Sequence, residues 1–133
     1  DPTEQHLRKM LNFGHTLGHA IESFYLKTSS SLLHGEAIAV GMILEAHLSH
    51  RRLGLSHEDL ATITNHIHSL YDLPKINPAD YQAIIELTKQ DKKNEHGSVR
   101  FVGIEQIGKA VYDIPLAVED VLEAFSYYKE VTL

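Results

Sequence analysis

The chain has 133 residues, 43% hydrophobic and 23% charged, the balance of a soluble globular protein with room for one real core. Its net charge of −6 argues against a general nucleic-acid binder, no apolar run approaches the roughly 20 residues of a membrane span, and no signal peptide is visible. Without cysteine there are no disulfides and no thiolate metal sites. That suits a reducing, cytoplasmic setting and leaves any transition-metal site to histidine with carboxylates or water.

Asp1-Pro2 opens the chain without an initiator Met, which predicts a fragment or processed piece. Thr3 is placed to cap a helix running to about Tyr25. Within it Arg8, Asn12, His15 and His19 are spaced four, three and four apart, so on a continuous helix they share roughly 60° of arc. The other phases carry Leu7, Met10, Leu11, Phe13, Leu17, Ala20, Ile21 and Phe24, an apolar face for a core. Gly14 and Gly18 interrupt this helix at about 1 kcal/mol each against Ala, which implies close approach of a ligand or of another helix.

After the polar stretch Thr28 to Ser31, Leu32-Leu33-His34-Gly35-Glu36 leads into a second helix, to about Leu53. Ala37 to Leu44 is apolar at nearly every phase, the pattern of a helix buried on several sides. Arg51 and Arg52 before Gly54 mark its end. Ser56 with Asp59 predicts a capped third helix, to about Leu70. Asn77-Pro78 starts a fourth, about Pro78 to Thr88. Beyond the polar Lys89 to Ser98, Val99 to Ile104 and Ala110 to Ile114 read as two short strands joined through Gly108. Val118 to Val131 reads as a final helix with Val118, Val121, Leu122 and Phe125 on one face. The expected fold class is mainly α, one domain with a small β-hairpin.

For chemistry, His15 and His19 at i,i+4 can face one point, as a metal pair or as a polar patch. His34, at a helix start, is another candidate ligand or a capping residue. Glu22 and Glu36 are placed to hydrogen-bond a ligating histidine rather than to ligate. Arg8 is an anion binder or the partner of Glu4, and Lys92 and Lys93 reach a phosphate or solvent. His47, His50, His57, His66, His68 and His96 are assigned to the surface or to helix ends. No nucleotide-binding glycine pattern and no serine nucleophile elbow is present.

The run RKMLNFGHTLGHAIE, Arg8 to Glu22, then Leu33-His34-Gly35-Glu36-Ala37 and Gly41-Met42, closely resembles 3-dehydroquinate synthase. Asp91-Lys92-Lys93-Asn94 resembles that family's DKK segment, and the hairpin and final helix follow in the expected order. The resemblance spans essentially the whole chain but only the C-terminal, mainly helical half of the enzyme. It implies a dehydroquinate synthase-like helical domain whose N-terminal partner, an NAD-binding α/β domain of the same enzyme, is not in this sequence.

The family's reaction converts 3-deoxy-D-arabino-heptulosonate 7-phosphate to 3-dehydroquinate and phosphate, a carbon–oxygen lyase step of the shikimate pathway in aromatic amino acid biosynthesis. It uses NAD transiently, with a divalent metal, zinc or cobalt, as Lewis acid. By resemblance His15 and His34 are the metal ligands of this half, the third being a Glu outside it. His19 is the catalytic and substrate-contacting histidine, and Arg8, Asn12 and one of Lys92 and Lys93 are further substrate contacts. This replaces the His15–His19 pairing that spacing favours.

The stretch between His19 and His34, with Ser29-Ser30-Ser31, is a few residues longer than the family's common form. The isolated piece is expected to be inactive, to bind metal weakly, and to self-associate, for instance as a homodimer, through apolar surface made to meet the missing domain. The rival readings are a sister sugar-phosphate cyclase (2-deoxy-scyllo-inosose or valiolone type), a glycerol dehydrogenase-like polyol dehydrogenase, and a non-catalytic helical binding module.

Overall fold

The computed structural model describes residues 13–26, 34–91 and 100–133. Among these, helix α1 is His15–Leu26, α2 His34–Leu53, α3 His57–Leu70, α4 Tyr81–Asp91 and α5 Val118–Val131; strands β1 Arg100–Gln106 and β2 Lys109–Pro115 precede α5. The mainly helical class with one hairpin is therefore observed. No helix among the described residues is long and apolar enough to cross a membrane.

The first helix departs from expectation. Phe13 and Gly14 form a turn, Gly14 has φ 85°, and α1 begins only at His15. A left-handed residue cannot continue a right-handed helix, so the expected helix is not continuous through Gly14; Arg8 and Asn12, the first half of the predicted stripe, lie outside the described residues.

The reason for the glycines lies in α2. A Cβ on Gly41 would fall 2.6 Å from the Gly18 nitrogen and against the Gly14 carbonyl, and one on Gly18 would meet Ile38 Cδ1 at 2.8 Å. Backbone therefore touches backbone where α1 crosses α2. The contacts step forward by four along α1 as they step back by four along α2. Gly14 lies against Met42, Gly18 against Ile38, and Glu22 against His34. The two helices thus run antiparallel, and the start of α2 comes to lie beside the later turns of α1.

Helix α2 is the centre of the fold, packed by α1, α3, α5 and β1. Its apolar middle is buried on all sides, as Ala37, Ala39, Val40, Ile43 and Leu44 show. Ser56 caps α3 by accepting from the Asp59 amide at 3.0 Å, as its sequence predicts.

The fourth helix starts with a 3-10 turn, Pro78–Asp80, before α4 proper. Asn77 Oδ1 accepts from the Ala79 amide at 3.0 Å, which tightens that turn. The helix runs on to Asp91, past the expected end at Thr88.

β1 and β2 pair antiparallel, Gln106 opposite Lys109, with the register shifting between Phe101 and Gly103. Ser49 Oγ of α2 accepts from the Ile104 amide at 3.0 Å and fastens the hairpin to the central helix.

α5 has the expected bounds but a different buried face: Val121, Ala124, Phe125 and Tyr128 are buried, while Leu122 is exposed. α5 packs mainly on α2, and Phe125 also stacks on Tyr81 of α4 with ring centroids 4.3 Å apart.

Candidate functional site

Three imidazoles converge beside the α1–α2 crossing. Ring centroids lie 5.1 Å apart for His15 and His19, 6.1 Å for His19 and His34, and 6.4 Å for His15 and His34. His15 and His19 share a face because they are one helical turn apart. His34 joins them because the antiparallel crossing brings the first residue of α2 alongside α1. His19 and His34 are exposed and His15 half-buried, so the cluster opens outward rather than filling a core.

Glu22, one turn beyond His19, closes the arrangement. Its carboxylate accepts from Nδ1 of His34, at 2.9 Å to Oε2 and 3.1 Å to Oε1. With Nδ1 donating, the lone pair of His34 sits on Nε2. A carboxylate behind a histidine fixes both ring orientation and tautomer in this way at metal sites. Glu22, one of the two carboxylates anticipated for this role, thus reaches His34.

Two imidazoles on one tetrahedral zinc, with Zn–N near 2.0–2.1 Å, place their centroids roughly 5 Å apart. His15 and His19 stand at that separation, while His15 and His34, at 6.4 Å, would draw in by about 1 Å to share an ion; neutral imidazole nitrogens suit a borderline-soft divalent metal. Among the described residues, however, no group of three His, Asp or Glu side chains is arranged to hold a metal ion. The chemistry of the donor set therefore fits a partial site, one that needs a further ligand from elsewhere. Arg8, Asn12, Lys92 and Lys93 lie outside the described residues, as does His96.

Sequence reasoning missed Glu45. It is fully buried on α2, yet its carboxylate accepts from the Gly14 amide at 3.0 Å and the Leu17 amide at 2.9 Å. The available signal was an acid directly following the apolar run Ala37 to Leu44.

His47 corrects another assignment. It is half-buried rather than on the surface, stacked on Tyr127 at 4.9 Å, and its Nδ1 is buried with no hydrogen-bond partner among the described residues. Burial, reinforced by the neighbouring His50, lowers its pKa below the ordinary histidine value. His57, His66 and His68 are exposed as expected, and His50 lies in the last turn of α2, with Nδ1 2.6 Å from the Leu55 carbonyl.

Known proteins share this arrangement of elements. The family described as 3-dehydroquinate synthase C-terminal matches residues 1–94. The 3-dehydroquinate synthase of Parabacteroides distasonis is 38% identical over 130 residues, which is 98% of this chain and 37% of that protein. That of Thermodesulfovibrio yellowstonii is 43% identical over 122 residues, 90% of this chain and 33% of that protein. The chain thus spans about a third of the length of the curated relatives it matches.

Among solved structures, a 2-deoxy-scyllo-inosose synthase complexed with carbaglucose-6-phosphate, NAD+ and Co2+ superposes with a TM-score of 0.65 at 26% identity. It covers 86% of this chain and 33% of that one. The 2-epi-5-epi-valiolone synthase of Streptomyces hygroscopicus, at 24% identity and TM-score 0.67 over 93% of this chain and 34% of that one, shares the fold. With the GHTLGHAIE and LHGEA blocks inside the matched span, the chain belongs to the 3-dehydroquinate synthase C-terminal family.

Proposed function

We propose that this chain supplies the metal-ligating and substrate-facing part of a 3-dehydroquinate synthase. The enzyme converts 3-deoxy-D-arabino-heptulosonate 7-phosphate to 3-dehydroquinate and phosphate. The observation that carries the reading is the outward-facing His15–His19–His34 cluster with His34 oriented by Glu22. The relatives named 3-dehydroquinate synthase support the substrate, and the NAD+ and Co2+ of the 26%-identical cyclase support the cofactors.

In this reading His15 and His34 hold a divalent metal through their ring nitrogens, with a third ligand from another part of the enzyme. Such an ion supplies Lewis-acid polarisation of substrate oxygens. His19, exposed beside both ligands, hydrogen-bonds substrate and exchanges a proton with it. Arg8, Asn12 and one of Lys92 and Lys93 complete the contacts to hydroxyl and phosphate groups. NAD belongs to a separate α/β domain. This stretch alone would therefore not turn substrate over, and two imidazoles alone would hold metal weakly.

The test is phosphate release from the heptulosonate phosphate, with dehydroquinate identified as product, by the full polypeptide that carries this chain. NAD and zinc are supplied, and a His34→Ala variant is run beside it. Release that is lost in the variant supports both the reaction and the ligand role. No release from protein loaded with NAD and zinc would move the reading to a sister sugar-phosphate cyclase, the class of the 26%-identical structure.

A further inference from the structure

We propose that Glu45 is a positioning residue for His15, setting the spacing of the two metal-ligating histidines; the inference rests on the ligand reading above. The first turn of a helix leaves four backbone N–H groups without intrahelical partners, and a local Ser, Thr, Asp or Asn side chain normally answers one of them. Here the residue before His15 is Gly14, which has no side chain to offer. No larger residue fits there: φ is 85°, and a Cβ would meet the Met42 nitrogen at 2.9 Å.

The cap therefore comes from a distant position. Glu45 Oε1 accepts from the Gly14 amide and Oε2 from the Leu17 amide, so the two oxygens bracket His15 and Thr16. A carboxylate at this end also meets the positive pole of the α1 dipole.

A two-point grip limits both the rotation of α1 about its axis and its shift along that axis. The grip originates on α2, the helix whose first residue is His34. One rigid element thus carries one ligand and holds the turn that carries the other. Glu45 is itself held by its surroundings: it is fully buried, and its carbonyl accepts from Ser49 Oγ at 2.8 Å. Ligand geometry must be kept within about 0.5 Å for a site to work, and a buried bidentate cap does this better than a surface side chain.

The test is cobalt titration of the full polypeptide, reading affinity and the visible d–d bands, together with amide hydrogen exchange at Gly14 and Leu17. In Glu45→Gln one acceptor oxygen becomes an NH2 group that faces a backbone N–H. Affinity is expected to fall 10- to 100-fold, the d–d bands to shift, and the two amides to exchange faster. Glu45→Asp, which keeps the charge but draws it back by one methylene, is expected to lie between wild type and Glu45→Gln, and serves if the amide variant fails to fold. Thr64→Val, which removes the Thr64–Tyr127 hydrogen bond on α3, controls for a general loss of stability.

Wild-type affinity and bands in a folded Glu45 variant would overturn the proposal and leave Glu45 a cap of stability alone. So would an equal loss of affinity in Thr64→Val. If His15→Ala and His34→Ala leave cobalt affinity unchanged, the ligand reading itself fails and this inference with it.

Discussion

Glu22 on α1 accepts a hydrogen bond from Nδ1 of His34 on α2 at 2.9 Å, across the antiparallel crossing that three glycines make possible. His34 is 60% exposed, so this contact and not packing decides where its ring points. Glu22→Gln is expected to weaken metal binding by the full polypeptide about 10- to 100-fold with little change in thermal stability, since exposed pairs contribute at most about 1 kcal/mol. Calorimetric zinc titration beside a thermal melt checks both halves; an unchanged affinity would remove Glu22 from the site.

Gly41 sits where α2 touches the backbone of α1. Gly41→Ala should destabilise the fold by about 3 kcal/mol or more, because the methyl would collide with main-chain atoms that cannot rotate away. Denaturant unfolding measures it. A loss under about 1 kcal/mol would mean that the helices separate easily, and the histidine spacing would then be soft as well.

Ser49 answers the Ile104 amide inside the core. Ser49→Ala leaves that buried N–H unpaired, at a cost of about 1–3 kcal/mol. The loss should appear in hydrogen exchange as faster exchange of the β1 amides, ahead of those in the middle of α2.

His47 makes stability depend on pH in a definite sense. Burial and the nearby His50 lower its folded pKa below 6.5. As pH falls from about 6.5, the unfolded chain takes up a proton that the folded chain resists, so His47's contribution to stability declines and levels off only below the folded pKa. His47→Gln should flatten this part of a stability–pH profile measured between pH 7.5 and 5. An unchanged slope would assign the dependence to other histidines.

Much of the molecule could be read along the chain. The bounds of α5, the Ser56 cap of α3 and the buried character of α2 follow from residues close in sequence, because caps and hydrophobic periodicity are local properties. The family followed from the GHTLGHAIE and LHGEA blocks. What the sequence could not supply was any decision that depended on a partner element. Gly14 reads as a helix interior until α2 presses against it. Leu122 reads as core until α5 packs on α2 with Val121, Ala124, Phe125 and Tyr128 turned inward. Glu45 reads as one polar residue after an apolar run until its carboxylate is seen to bracket His15. The sequence by itself determined the family and named the candidate side chains. Only the tertiary structure decided their spacing and tautomer, because both are set where α1 crosses α2, through contacts between residues 12 and 31 positions apart.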